Sequence, residues 1–473
     1  MVQAPASLAL SLRDYQTQGV EFVLKAFERG ETGVLLADDP GLGKTLETLA
    51  VISALDARRV LVIAPAIGRV SWRIEVRKHW PTLFKSTWVP VFSDRPGRHV
   101  EILDEVLLVL SYDVFSQPAA LKVWGPWLAL RRWDLLVLDE CQYLKNQSNR
   151  TRAIYGGRHR TGMTQGLLGH VDRTLLLSGT PCPNHAAELW PHYNAFWKPY
   201  VTHEGKPLSE PDFQERYTRY KDGPYGRQIQ GSVNQDRLRD ALKEVIIRRR
   251  RQDVLKDLPP LQIQDLPLSV PLPPIPQGFE TDVRKYMALP IDDVIPAMTR
   301  DSVGIGTLRR VLGESKVQAA SEWLRDRLNQ GVNKIIVFAW HLSVIEGLAE
   351  WLMDFNPVTI TGSTSPDARM AKVDTFQNNP KARVFIGQTK AAGSAITLTA
   401  ASEVVMLEPS WVPGENEQAI ARAWRLGQSA PVIATFLYIP GSLDHRVMTA
   451  FRRKAVELLT LYAADPPKHE DGP

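Results

Sequence analysis

Ten short apolar runs set the limits on what this 473-residue chain can fold into. Five come first: "GVLLADD", "RVLVIAPA", "VLLVLSYD", "WDLLVLDE" and "RTLLLSGTP". Five follow a break: "KIIVFAW", "VTITGS", "RVFIGQT", "EVVMLEP" and "VIATFLYIP". Each is continuous rather than alternating, and small or polar residues bound it. A strand that is apolar at every position has both faces covered, the condition of a parallel sheet packed between helices. Stretches with helical spacing, such as "TLETLAVISAL", separate several of the runs. The chain is therefore expected to be α/β, with two units of parallel sheet in tandem. Its length also exceeds what one hydrophobic core usually supports.

The break between the two sets has its own character. From Trp190 to about Lys256 the sequence is aromatic and charged and reads as mostly helical. Seven prolines then lie between Pro259 and Pro276. Proline removes a backbone donor and stiffens an extended chain, so this passage reads as a connection between domains. The expected organisation is a first unit over 1–257 with a helical protrusion at about 190–256. A proline-rich connection and helical segment follows over 258–300, then a second unit over 301–462. The polar tail "AADPPKHEDGP" suggests disorder over 463–473.

Composition narrows the class. Lys plus Arg is 57 and Asp plus Glu is 52, a net +5 that permits a polyanionic partner without demanding one. Two cysteines, Cys141 and Cys182, can build neither a disulfide framework nor a cysteine zinc site, which fits a reducing compartment. No apolar run is long enough to span a membrane, and "MVQAPASLALSL" lacks the basic start of a secretory signal. A cytoplasmic, nucleoid-associated location and no membrane partner are expected.

Chemistry concentrates at the ends of the runs. In "LLADDPGLGKTLETL" a run, a glycine-bearing turn and a helical pattern meet. Backbone N–H groups in such a turn point at phosphate. Gly41 and Gly43 keep side chains away from the anion, Lys44 would reach the β and γ phosphates, and Thr45 would ligate Mg²⁺. The strict pattern wants glycine where Asp38 stands. "LLVLDECQ" ends a run in Asp139 and Glu140: the first would hold Mg²⁺ through water, the second would polarise an attacking water. "LLLSGTP" ends another in Ser178, Gly179 and Thr180. Together the three segments suggest a RecA-like lobe that takes ATP and Mg²⁺.

The later segment "EQAIARAWRLGQ" spaces Gln418, Arg422 and Arg425 by four and three, one face of a helix around 418–427. Two guanidinium groups on one face could reach a γ phosphate as arginine fingers. The run Arg248, Arg249, Arg250 and Arg251 suggests nucleic acid, although a charge run is more often a solvated face. Thirteen tryptophans could include stacking platforms, but most belong in cores.

The ordered set resembles the Swi/Snf-type family of superfamily-two helicase-like ATPases. In that family the phosphate loop commonly reads D-E-x-G-L-G-K-T, which accounts for Asp38. "LRDYQTQGVEF" resembles the family's adenine motif, where Gln16 could both donate to and accept from an adenine edge. "RVLVIAPAIGRVSWRIEVRKHWP", "LSYDVF", "LVLDECQYLKN", "LLLSGTPCPNHAAELW", "RRRRQDVLKDLPP", "KIIVFAW", "ITGST", "KAAGSAITLTAA" and "WVPGENEQAIARAWRLGQ" follow in family order, over 12–447. "DECQYLKN" and the compact length look most like the HepA-related, annealing-helicase branch. Three residues depart from the family: Asp39 for Glu, Gln142 for a frequent His, and Ala395 for a motif glycine. Gln142 can still bridge to the strand end at Ser178, but it does not titrate.

The resemblance implies two RecA-like lobes with a helical insertion between them, working as a DNA-stimulated ATPase. Lys44, Asp139, Glu140, Arg422 and Arg425 would be catalytic. Gln16, Gly41, Gly43, Lys44, Thr45, Gln142 and Gln418 would bind nucleotide, and Thr45 and Asp139 the metal. Trp72, Ser111 and Trp411 hold motif positions suggestive of strand contact. Such a protein would track along duplex or forked DNA through its phosphates, as a monomer, and remodel DNA or protein–DNA complexes. A strand-separating DNA or RNA helicase is the alternative. A non-motor clamp would need a broken catalytic set, and a restriction motor would need a nuclease module.

Overall fold

A computed structural model describes residues 12–66, 68–80, 86–88, 104–159, 162–164, 166–223, 226–255, 257–300, 302–389, 396–411 and 413–450. The N-terminal apolar stretch, Ala395 and the polar tail lie outside the described residues. Two compact units divide between Val254 and Leu255.

In chain order the first unit contains β1 (Gly33–Leu36), β2 (Arg59–Ala64), β3 (Ser86–Trp88), β4 (Val106–Ser111), β5 (Leu135–Asp139), β6 (Gly157–His159), β7 (Gly162–Thr164) and β8 (Thr174–Leu177). It continues with β9 (Thr202–His203), β10 (Lys206–Pro207), β11 (Thr218–Gly223), β12 (Gly226–Ser232) and β13 (Ile246–Ile247). Seven strands form one sheet in the order β13-β1-β8-β5-β2-β4-β3, and every pairing in it is parallel. All four residues of β1 and of β8 are buried, as their continuous apolar character predicts. Helices Asp14–Glu28, Lys44–Ala54 and Gly68–His79 contribute to the core on one face. On the other, Trp124, Trp127 and Trp133 join an aromatic core with Tyr193, Trp197 and Phe213. Cys141 and Cys182 are buried in that second core.

The stretch after Trp190 differs from the mostly helical reading. It holds short helices, at Glu210–Tyr217 and Gln235–Leu242, but also two antiparallel hairpins, β9–β10 and β11–β12. Aromatic and charged residues with no clear period mark half-buried hairpins as readily as helices.

The second unit contains β14 (Leu261–Pro267), β15 (Ile335–Ala339), β16 (Val358–Ile360), β17 (Val384–Gln388), β18 (Glu403–Met406) and β19 (Val432–Tyr438). They form one sheet, β14-β19-β18-β15-β17-β16, again wholly parallel. Part of the proline-rich passage is therefore not connection but the edge strand of this sheet. Prolines are tolerated there because one side of an edge strand needs no ladder donors, and Pro267 is its last residue. Helices Ser302–Asn329, Leu342–Trp351 and Pro366–Asn378 accompany the sheet. The last starts with a capped first turn: Ser365 Oγ accepts from the Ala368 N–H, and Pro366 takes the first position. Among the described residues no helix is long and apolar enough to cross a membrane.

Candidate nucleotide site

Three adjacent strands of the first sheet end at one level. In the register Leu36 of β1 lies beside Leu177 of β8, and Leu177 lies beside Asp139 of β5. The phosphate loop, the Ser178 strand end and the Asp-Glu pair therefore share one rim. Open parallel sheets bind their ligands at the carboxyl ends of their strands.

The loop is built for an anion. Helix Lys44–Ala54 starts directly at it, capped by Gly43 in the left-handed region at φ 89°. A side chain there would be strained and would run into the Gln16 amide. Gly41 has the same φ. Lys44 Nζ folds back on the carbonyls of Asp38 at 2.5 Å and Asp39 at 3.3 Å. These are main-chain acceptors that a phosphate would outbid electrostatically. Thr45 is the second residue of the helix and half-buried.

Asp38, the apparent flaw in the loop, is wholly buried and paired with Arg249. The Arg249 Nε donates to Asp38 Oδ1 at 3.0 Å, one terminal nitrogen donates to Oδ2, and that nitrogen also reaches Glu47 at 2.6 Å. Asp39 accepts from Arg248 at 3.3 Å and from the Arg251 N–H at 3.0 Å. The arginine run is thus not a solvated face: Arg249 and Arg251 are buried and hold the loop from behind. Burial and the Asp38 charge push the Glu47 carboxyl up to about 8.

Gln16 also differs from expectation. It is buried, its carbonyl accepts from the Arg13 N–H, and its amide donates to Leu42 O at 3.0 Å, beside the Tyr15 hydroxyl at 2.9 Å. In this structure it braces the phosphate loop.

The acidic pair is held from two sides. Trp72 is buried, and its indole N–H donates to Asp139 Oδ2 at 2.9 Å. Trp72, expected at a strand contact, here supports the acidic pair. Burial and the Glu140 charge raise Asp139 to about 6, while the Trp72 bond and the Lys44 ammonium pull it down. Glu140 has a left-handed backbone at φ 53°, a strained state for a non-glycine residue. Gln142 donates to Glu140 Oε2 at 2.7 Å and accepts from Ser178 Oγ at 2.6 Å, and Ser178 Oγ in turn accepts from the Thr180 N–H. The glutamine bridges the two strand ends, as its sequence position suggests. Ser111, also expected at a strand contact, is buried and caps the turn Tyr112–Phe115 by accepting from the Asp113 N–H.

In the second unit the expected 418–427 helix is shorter. It spans Pro413–Ile420, and Gln418 lies in its last turn. Beyond it the chain tightens: the Arg422 N–H reaches back only three residues, to Ala419 O. Arg422 Nε donates to Gln418 O at 2.9 Å, and Arg425 Nη1 donates to Ile396 O at 3.3 Å. The four-and-three spacing of these residues does not mean a shared helical face. Gln428 anchors the turn with donations to Thr399 O, Ala401 O and Ala423 O. Trp411 is half-buried over Arg309, whose guanidinium lies 5.0 Å from the ring.

Residues 15–269 match the SNF2-related domain family, more than half of the chain, and 315–427 match the helicase conserved C-terminal domain. The chain belongs to the SNF2-related family. Among similar proteins of this family type are the DNA annealing helicase and endonuclease ZRANB3 of Homo sapiens and the SWI/SNF-related matrix-associated actin-dependent regulator of chromatin subfamily A-like protein 1 of Xenopus tropicalis. The first is 27% identical over 95% of this chain and 40% of its own length, the second 27% over 96% and 45%. The chain thus spans less than half the length of these curated relatives. The Sulfolobus solfataricus SWI2/SNF2 ATPase core in complex with dsDNA overlays with a TM-score of 0.42 at 21% identity, covering 98% of this chain and 95% of that one.

In this SNF2-related chain sequence reasoning missed Glu47 and Tyr15, and found no partner for Arg249. A signal was available for one of them: Glu47 interrupts the apolar helix "TLETLAVISAL", and a charge on a buried face needs a partner.

Proposed function

We propose that this protein is a DNA-stimulated ATPase of the Swi/Snf type that couples ATP hydrolysis to translocation along duplex DNA and remodels DNA or protein–DNA complexes. The observation that carries this reading is the convergence of Lys44, Asp139, Glu140 and Ser178 on the ends of three neighbouring parallel strands. The donor set fits Mg²⁺, a hard cation that keeps most of its waters: Thr45 and Asp139 would hold it beside phosphate oxygens, where it would neutralise phosphate charge.

Lys44 exchanges its main-chain partners for phosphate oxygens. Glu140 accepts a hydrogen bond from the attacking water, and Gln142 ties that carboxylate to the Ser178 strand end. Arg422 and Arg425 act on the γ phosphate as fingers, and Gln418 assists nucleotide binding. DNA is held through its phosphates in a sequence-independent way, as befits a protein that must move along it. The protein acts as a monomer on DNA in the cytoplasm.

The test is turnover measured with single-stranded, duplex and forked DNA and with RNA. Duplex or forked DNA should stimulate most. Glu140→Gln should bind ATP and lose hydrolysis, and normal turnover in that variant would sink the assignment. Affinity for duplex should fall with salt, with a log–log slope of about −0.9 per phosphate neutralised. ATP should drive release of a triplex-forming third strand. Efficient separation of a plain tailed duplex would favour a strand-separating helicase.

A further inference from the structure

Two segments far apart in sequence run side by side at the phosphate loop. Strand β1 enters the loop. Strand β13 is its parallel neighbour, with Leu35 beside Ile246 and Leu36 beside Ile247. The pairing continues past both strands: the Ala37 N–H donates to Ile247 O, and the Asp39 N–H donates to Arg249 O. From there one segment becomes the phosphate loop. The other, after the short helix Arg251–Val254, becomes the chain that enters the second unit.

At the point of parting, side chains lock the two segments together. Asp38 accepts from both the main-chain N–H and the guanidinium of Arg249. Asp39 accepts from Arg248 and from the Arg251 N–H. Arg251 also donates to Pro40 O, and Arg248 reaches Gly179 O at 3.3 Å, on the Ser178 strand end. Every residue from Asp38 to Pro40 is therefore tied to the segment leaving the first unit. A forked guanidinium on a buried carboxylate is a stiff, directional link. A loop that reshapes around phosphate cannot move Asp38 and Asp39 without moving these partners.

We infer that Arg248, Arg249 and Arg251 are positioning residues that report nucleotide occupancy of the loop to the chain leaving the first unit. The inference rests on the reading that ATP binds at Lys44. It assigns the run to nucleotide-dependent coupling and not to DNA contact. Coupling carried by such a network changes by modest factors when one link is cut.

Amide hydrogen exchange on the full chain tests this, with and without a non-hydrolysable ATP analogue, read over β14 (Leu261–Pro267). Binding of the analogue is measured separately. In the wild type the analogue should bind and should change exchange over β14. Arg248→Ala leaves Asp39 its bond from the Arg251 N–H, so the loop should still take the analogue. Its exchange response should be lost, and DNA-stimulated turnover should fall about tenfold. Arg249→Lys keeps a charge beside Asp38 and Glu47 but loses the fork, and should blunt the response in the same direction. If the wild type fails to bind the analogue, the nucleotide reading and this inference fall together. If the wild type binds it without a response over β14, or both variants bind it with a wild-type response, this inference alone is overturned.

Discussion

Arg249 in the first unit and Arg425 in the second are both guanidinium groups in motif segments, yet they are held differently. Arg249 is forked onto buried Asp38 and shared with Glu47. Arg425 sits in a turn past a helix end and donates to the Ile396 carbonyl. Both arginines are charged donors, but only the Arg249 fork meets carboxylates in the interior, and breaking it leaves buried charges uncompensated. A carbonyl bond is more easily exchanged for a phosphate oxygen. The contrast teaches that Arg249 is part of the scaffold that shapes the loop, while Arg425, which meets a neutral carbonyl, is the one proposed to act as a finger.

The largest expected effect would break the comparison if it failed. Arg425→Ala should slow hydrolysis by about 10³-fold, the lower end of what an arginine finger contributes. Arg425→Lys should recover little, because lysine lacks the planar fork. Thermal unfolding of both should stay near wild type. Normal turnover in Arg425→Ala would return this turn to a structural role.

Arg249→Met should show the reverse pattern, in stability first. Removing one partner of a buried ion pair costs about 3–5 kcal/mol. Urea unfolding should reveal that loss, and Asp38→Asn with Glu47→Gln in the same chain should restore much of it, since no buried carboxylate is then left without a cation. A loss of turnover without any loss of stability in Arg249→Met would erase the distinction between the two arginines.

A smaller effect sharpens the picture at the rim between β5 and β8. Gln142→Leu cuts the tie between Glu140 and Ser178, and turnover should fall roughly tenfold, a fraction of what a positioned general base contributes. Gln142→His should retain activity but gain an inflection near the ordinary histidine pKa of about 6.5 that glutamine cannot produce. A pH–rate profile identical to wild type would place residue 142 outside the working site.

How legible all this was depended on whether the partner lay nearby in sequence. The ten buried strands could be read directly, because a continuous apolar run has few other uses. Lys44, Asp139 and Glu140 could be read because strand ends in a parallel sheet converge. Gln142 could be read as a bridge because its partner, Ser178, sits on the next strand end. The arginine run could not: Arg249 lies 211 residues from Asp38, and a string of four charges looks solvated until its carboxylates are located. The Trp72 contact was hidden for the same reason, since nothing local reveals that its indole N–H finds Asp139 across 67 residues. The end of the helix at Ile420 was hidden because residues spaced by three and four keep that spacing whether the chain winds regularly or tightens.

Both native cysteines are buried, and burial together with the Glu140 charge raises the Cys141 thiol well above its ordinary range. Thiolate is the reactive form, which disfavours Cys141, and burial shields both sulfurs, so neither should compete for a maleimide in the folded protein. The chain is in effect ready for site-directed dye labelling without prior removal of its own thiols. Cysteines introduced at Leu130, 78% exposed on the first unit, and at Met353, 66% exposed on the second, would carry a donor and an acceptor. Energy transfer between them would test whether the two units move with the proposed turnover on DNA.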